Sequence, residues 1–244
     1  MFLMIGNGRL ARHLCFYFDS LGISYASWHR DTHSQADFLA QANQATRILL
    51  AISDKAIEPF ILSYPHIPKN KWLHLSGALS IPGIYAAHPL GSFGEKLNPP
   101  EWYRDIYFII EQQSCSDLSL PLSILLPGLP NASAVIRSQD KPYYHSLCVL
   151  SNNFSTILFQ KLFSGLEKEL NIPKEAAYAY LKQTVFNLEK TEQALTGPFA
   201  RNDQNTIEKN KQALQERQDV FADIYQAFID LVQKSNLTKI RRDT

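Results

Sequence analysis

The amino-terminal run "FLMIGNGRLARHL" places the strongest constraint on this chain. Four apolar residues, Phe2 to Ile5, pass directly into Gly6-Asn7-Gly8 and then into a helix-compatible segment. A strand that turns into a helix through two glycines brings free backbone amides and the positive end of a helix to one point. Gly6 would make the tight turn, Gly8 would admit a phosphate, and Ala11 stands where the dinucleotide fingerprint takes Gly or Ala. A purely structural turn fits the same residues. The position after a strand, opening a helix within a crossover unit, favours the nucleotide cradle.

The rest of the first half repeats the strand and helix alternation. Strands are predicted at Phe2 to Ile5, Ser24 to Trp28, Arg47 to Ile52, Trp72 to Leu75 and Ile106 to Ile110, and helices at Leu10 to Leu21 and Asp54 to Ser63. Strands joined by helix-length connections give parallel crossover units, hence an α/β, doubly wound, mostly parallel sheet. The Gly- and Pro-rich stretch from Gly77 to Pro100 reads as exposed loops near the carboxyl ends of strands, where open α/β sheets bind ligands.

Near residue 140 the pattern changes to helices, which divides the 244 residues into an α/β domain over 1–140 and an all-helical domain over 141–244. Leu147, Leu150, Phe154, Ile157, Leu158, Leu162 and Leu166 follow a helical period and predict a largely buried helix. After Asn171-Ile-Pro173 a further helix is expected over Glu175 to Glu192. Ile207, Leu214, Phe221 and Phe228 then recur at every seventh position, predicting one long amphipathic helix capped near Asn202 or Asp203.

Twenty-four basic residues against 23 acidic ones leave a net charge of +1, which offers no electrostatic reason to bind nucleic acid or an acidic membrane. Cys15, Cys115 and Cys148 form neither a disulfide framework nor a paired metal pattern, so the cytoplasm is the expected compartment. The short apolar start lacks a preceding basic segment and a long apolar run, so neither a signal peptide nor a membrane span is expected. A small-molecule site is the remaining direction.

The end of the second strand, "SWHRD", bears on the nucleotide. An NAD site places an acid about 20 residues beyond the glycine turn. Arg30, with His29, could instead pair a 2′-phosphate through the guanidinium fork, which points to NADP. Asp31 keeps NAD as the alternative, and Arg30 as a plain surface charge is the bland reading. In "LLAISDKAI", Ser53 would face the nicotinamide side of the crevice while Asp54 caps the next helix.

Five ordered motifs, "GNGRLA", "LHLSGALS", "AAHPLGSF", "YYHSLCVLSNNF" and "ALTGPFARND", carry a resemblance over nearly the whole chain. The sequence resembles the uncharacterised Rossmann-like NADP-dependent oxidoreductases with a helical C-terminal domain of unknown function. That group is similar to the 6-phosphogluconate dehydrogenase, ketopantoate reductase, pyrroline-carboxylate reductase and prephenate dehydrogenase families. The resemblance implies a Rossmann-like NADP-binding domain followed by an all-α, 6-phosphogluconate dehydrogenase C-terminal-like domain that shapes the substrate pocket and forms a homodimer. It implies cofactor contacts from Gly6, Asn7, Gly8, Arg9 and Leu10, and from Ser76 and Gly77 in the strand-end loop. It also matches His88-Pro89-Leu90 and Ser92-Phe93 to the crevice lining, His145 to the start of the first C-terminal helix, and Thr196-Gly197-Pro198 with Arg201 to a late loop. Ala11, Gly91, Ser53 and Asn152 depart from the residues frequent in the family at those places.

Histidine suits proton transfer near neutrality, which makes His145 and His88 the catalytic candidates. On a regular α-helix Asn152 returns to nearly the face of His145 two turns, or about 10 Å, away. Asn153 lies about 80° around, so one wall could present a proton donor and an amide that orients a carbonyl. Thr196, the amide of Gly197 and Arg201 could hold a substrate carboxylate, although a helix-to-helix turn explains the same residues. The reading is hydride transfer to or from a small keto, imino or hydroxy acid. The alternative is a non-catalytic NADP-binding sensor or scaffold whose helical domain mediates dimerisation.

Overall fold

The computed structural model describes residues 1–112 and 120–235; Cys115 lies outside the described residues. The first strand, β1 (Phe2–Ile5), is buried along its whole length, as expected for a parallel strand covered on both faces. It turns at Gly6 into α1 (Arg9–Ser20), whose Ala11, Leu14, Tyr17 and Phe18 are buried. β2 (Tyr25–Trp28), α2 (Gln35–Gln44), β3 (Arg47–Leu50) and α3 (Asp54–Leu62) complete the next crossovers. Ser34 and Asp37 start α2 with reciprocal side-chain to backbone bonds that satisfy two otherwise free amides.

β4 (Trp72–His74), β5 (Tyr85–Pro89), α4 (Pro100–Arg104), β6 (Phe108–Gln112), α5 (Leu122–Leu125) and β7 (Ser133–Arg137) follow. The seven strands form one sheet in the order β2-β1-β3-β4-β5-β6-β7. Every pairing is parallel except β5 with β6. This is a Rossmann-like, doubly wound architecture whose strand order reverses between β1 and β3, so the crevice opens at their carboxyl ends. β5 lies within the stretch read above as loops, and α4 begins at its last residue, which is a correction: the flanking glycines and prolines hid a short strand.

Alternate residues feed the two faces. Phe2, Met4, Leu49, Leu73, Ala87 and Phe108 pack with α1 and Tyr103, whereas Leu3, Ile5, Ile48, Leu50 and Trp72 pack with Trp28, Phe38 and Ile57. Where β4, β5 and β6 continue this second face, apolar side chains give way to polar ones, as described below.

α6 (Lys141–Cys148) runs through a π-helical turn, Val149–Phe154, into α7 (Ser155–Glu169). The chain forms two compact units, Met1–Ile157 and Leu158 onward. The helix expected to be buried is not: Leu147, Leu150, Phe154 and Ile157 are 45–53% exposed. The reason is the helix's orientation, since α6 turns a polar face toward the sheet.

The second unit contains α8 (Tyr178–Lys190), α9 (Gly197–Arg201), α10 (Gln204–Glu216) and α11 (Phe221–Ser235). The predicted single long helix is broken between α10 and α11, where Gln218 adopts a left-handed φ of 54° and Asp219 accepts from the amide of Phe221. A sevenfold apolar repeat specifies a common face, not an unbroken backbone. Asp203 caps α10, while Asn202, with φ 54°, ends α9. Lys161 ties this unit together through Glu169 and Asp219, and Arg217 also reaches Glu169 at 2.8 Å.

Candidate active site

A cleft of about 1290 Å³ opens at the carboxyl ends of β1, β2 and β3. Gly6, Asn7, Gly8, Arg9 and Leu10 form one wall, Trp28 to Asp31 a second, and Ala51 to Ser53 a third. Gly91, Ser92 and Phe93 line it from the loop after β5; Asn152, Asn153, Thr156 and Ile157 line it from the π turn and the start of α7.

The two glycines at the turn differ physically. Gly6 has φ +118°, and a Cβ there would stand 2.5 Å from the carbonyl oxygen of Ala51, so backbone packing requires glycine. A Cβ on Gly8 would meet nothing within 4 Å. Gly8 is also the N-cap of α1 and supplies no side-chain bond to it, which leaves first-turn amides available to an anion. Glu95 approaches Arg9 and Arg12 at 4.0 and 3.4 Å beside this turn.

Arg30 lines the cleft, and among the described residues its one ion pair is to the neighbouring Asp31 at 3.7 Å, both side chains being well exposed. Ser53 lines the cleft as the N-cap of α3 without a side-chain cap bond. Asp54 does not cap α3, correcting the expectation above. It is the first helical residue, and its carboxylate accepts the Ser76 hydroxyl at 2.8 Å. Ser76 also accepts from the amides of Ala78 and Leu79, so this buried serine shapes the loop after β4 and is absent from the cleft walls, as is Gly77.

Gly77 instead belongs to a second polar cluster with His88 and His145. A Cβ on Gly77 would approach His145 Nδ1 to 2.9 Å and His88 Nε2 to 3.0 Å. The two imidazole centroids are 6.4 Å apart, and His88 Nδ1 lies 2.7 Å from the Tyr144 hydroxyl. His145 Nδ1 is buried and has no hydrogen-bond partner among the described residues. Burial, then His145 and Lys141, pushes His88 down to about 4, and burial with Lys141 pushes His74 down to about 3. Both are therefore neutral at physiological pH.

Asn152 and Asn153 reach the cleft because of the π turn. Its i to i+5 bonding shifts the angular position of everything after it, so the α-helical face shared by His145 and Asn152 is corrected: His145 faces Gly77, whereas the asparagines line the cleft. Their side chains also bond to each other at 3.3 Å. In the second unit, Thr196 and Arg201 are exposed at the two ends of α9, and Gly197 has φ +75°.

Sequence reasoning did not pick out Glu111, Trp28, Phe60 or Thr156. The signal for Glu111 is a lone acid inside the apolar run "YFIIEQ"; Phe60 and Thr156 gave no local signal. Among the described residues no helix is long and apolar enough to cross a membrane.

The fold and the cleft define a Rossmann-like α/β protein followed by a helical region. A family described as a domain of unknown function (DUF2520) matches residues 106–230, and the chain belongs to this family. A comparison with curated proteins finds no match. Among solved structures, a candidate NADP oxidoreductase from Bacteroides fragilis is similar at 19% identity over 98% of this chain and 97% of that one, with a TM-score of 0.69. Protein TM1727 from Thermotoga maritima is similar at 20% identity over 99% and 100%, with a TM-score of 0.66. A reductive aminase from Aspergillus terreus, in complex with NADPH and ethyl-5-oxohexanoate, is similar at 14% identity over 96% and 92%, with a TM-score of 0.60. At these identities the likeness is one of fold.

Proposed function

We propose that this protein is an NADP-dependent oxidoreductase that transfers hydride to or from a small keto, imino or hydroxy acid. The observation that carries the reading is the single cleft shared by the glycine turn, Arg30 and the Asn152–Asn153 wall. The residues fit a dinucleotide. Open space beside Gly8 and the uncapped start of α1 suit the pyrophosphate, and Arg30 offers a fork of donors to a 2′-phosphate. When bound, the nicotinamide supplies the hydride. Asn152 and Asn153 present amides that orient a carbonyl or imine, and His145 or His88 handles its proton. The resemblance to a reductive aminase that binds NADPH and a keto ester supports this acceptor class. Arg201, with Thr196 and Gly197, is the proposed grip for a substrate carboxylate.

The protein is proposed to be a cytoplasmic homodimer. The second unit buries few apolar side chains, notably Ala177, Ile207 and Ile229, while Val185, Phe186, Leu188 and Phe228 are exposed, which suits an element completed by a second copy. A second reading, a nucleotide-binding sensor, is favoured by one observation: His88 and His145 are not among the residues lining the cleft.

Calorimetric titration of the full chain with NADPH and NADH tests the cofactor. Saturable binding with NADPH preferred is expected, and absence of binding by either removes the proposal. Turnover on a panel of 2-keto acids and cyclic imines, reduced strongly by His145→Ala in a folded protein, separates the enzyme from the sensor.

A further inference from the structure

Lys141, Tyr144, His145 and Cys148 recur at the i, i+3, i+4 and i+7 spacing that puts them on one face of α6. This polar face meets polar groups of the sheet. Lys141 is 2% exposed; its ammonium lies 2.7 Å from the Glu111 carboxylate on β6 and also donates to the carbonyl of Leu79. The Ser80 hydroxyl donates to the other carboxylate oxygen of Glu111. The ion pair thus joins the start of α6, the β6 strand and the loop that carries Gly77. Those are three of the elements that surround His88 and His145.

An ion pair buried this deeply is a poor source of net stability, because desolvation of both charges offsets their attraction. We infer that Lys141 and Glu111 are positioning residues for His88 and His145: their ion pair clamps the polar face of α6 over β5, fixing the approach of Tyr144 to His88 and of both imidazoles to Gly77. This rests on the proposed oxidoreductase reading for its chemistry, but not for its geometry. Tyr144, whose hydroxyl is kept protonated by burial and by Cys148, meets His88 Nδ1 at 2.7 Å while Nε2 faces Gly77, so the ring is held between the helix and the loop. The titratable groups around His88 are Lys141, Tyr144, His145 and Cys148 from α6, His74 from β4 and Glu111 from β6, with Asp54 acting on Lys141. The cation of Lys141 opposes a second positive charge on His88.

The test follows the imidazole Cε1–H signals of the full-length protein by NMR through a pH titration, which needs no substrate. His88, assigned through His88→Gln, is expected to stay neutral down to about pH 4 in the wild type. Lys141→Met should raise its midpoint measurably, because a nearby like charge is removed and the clamp that keeps the imidazole buried is released, and Lys141→Arg should restore the wild-type value. The paired variant Lys141→Met/Glu111→Leu removes both charges together, so a rise in its midpoint reports release of the histidines rather than loss of a like charge, and it is expected to rise also if the single variant does not fold. A wild-type midpoint near the ordinary 6.5, or an unchanged midpoint in a folded Lys141 variant, overturns the inference. NADPH affinity is measured on the same samples. Loss of binding in the wild type would remove the cofactor reading while leaving the histidine result standing.

Discussion

Gly6 and Ala51 pack so closely at the mouth of the cleft that any side chain at residue 6 would strike the Ala51 carbonyl, whereas Gly8, two residues on, faces open space. Gly6 is required by the protein's own backbone, whereas the space beside Gly8 is where the proposed pyrophosphate would lie. Gly6→Ala must also hold alanine at φ +118°, a strain of roughly 1–3 kcal/mol before the clash is added. It is expected to lower the urea midpoint clearly. Gly8→Ala should change stability by no more than about 1 kcal/mol, yet weaken NADPH binding by intruding on the pyrophosphate. Equal stability losses in the two variants would contradict this division of labour.

Arg30 stands on the cleft wall paired to an exposed, neighbouring carboxylate. A charged hydrogen-bonded contact to the 2′-phosphate is worth about 1.5–3 kcal/mol, so Arg30→Ala should weaken NADPH about 10-fold or more while leaving NADH nearly unchanged. Asp31→Asn, which removes the competing carboxylate, is expected to shift preference further toward NADPH. Parallel titrations with both nucleotides measure the ratio.

The parts of this fold written in contiguous residues were legible in the sequence. The apolar run of β1, its glycine turn and the crossover helix α1 form locally and appear where periodicity and turn chemistry place them. β5 was not legible, since "YAAHP" has only five residues, little β-branching and a proline at its end. It becomes a strand through β4 on one side and β6 on the other. The π turn at Val149–Phe154 leaves no mark on apolar periodicity, yet it decides that Asn152 faces the cleft while His145 does not. Glu111 and Lys141 are 30 residues apart, and only tertiary packing turns two ordinary charges into a buried pair. The polar stripe from Lys141 through Cys148 was the available local clue, and the apolar stripe on the same helix obscured it.

His74 is fully buried, and neither ring nitrogen has a hydrogen-bond partner among the described residues. An unpaired buried polar group costs about 1–3 kcal/mol, so His74→Leu should raise the melting temperature. The same residue contributes to acid sensitivity. Folding lowers His74 from 6.5 to about 3 and His88 from 6.5 to about 4, so below pH 6.5 the unfolded chain takes up protons that the folded chain refuses. Stability contributed by these neutral histidines is present above pH 6.5 and falls by about 1.4 kcal/mol per pH unit for each as the pH drops. The loss from His88 levels off near pH 4, where the folded state also binds its proton, and that from His74 near pH 3. Urea unfolding at pH 7, 6 and 5 should show this decline, and His74→Leu should roughly halve its slope. A slope unaffected by the substitution would place the acid-sensitive group elsewhere.

Leu147, Leu150 and Phe154 are exposed apolar side chains on the helix that also brings Asn152 and Asn153 to the cleft. Exposed apolar side chains of this size favour association, and a second copy of the chain is the occupant the proposed homodimer supplies. If two copies meet there, the melting temperature should rise with protein concentration, because association stabilises only the folded state. Leu150→Glu/Phe154→Glu would put two carboxylates into the seam and should shift the protein to monomer in light scattering, with a concentration-independent melting temperature. Since Phe154 adjoins Asn153, dissociation is also expected to loosen the wall that holds the acceptor, raising KM for any substrate found more than it lowers NADPH affinity. A wild-type protein that remains monomeric at micromolar concentration would remove the dimer and leave these side chains without a partner of this kind.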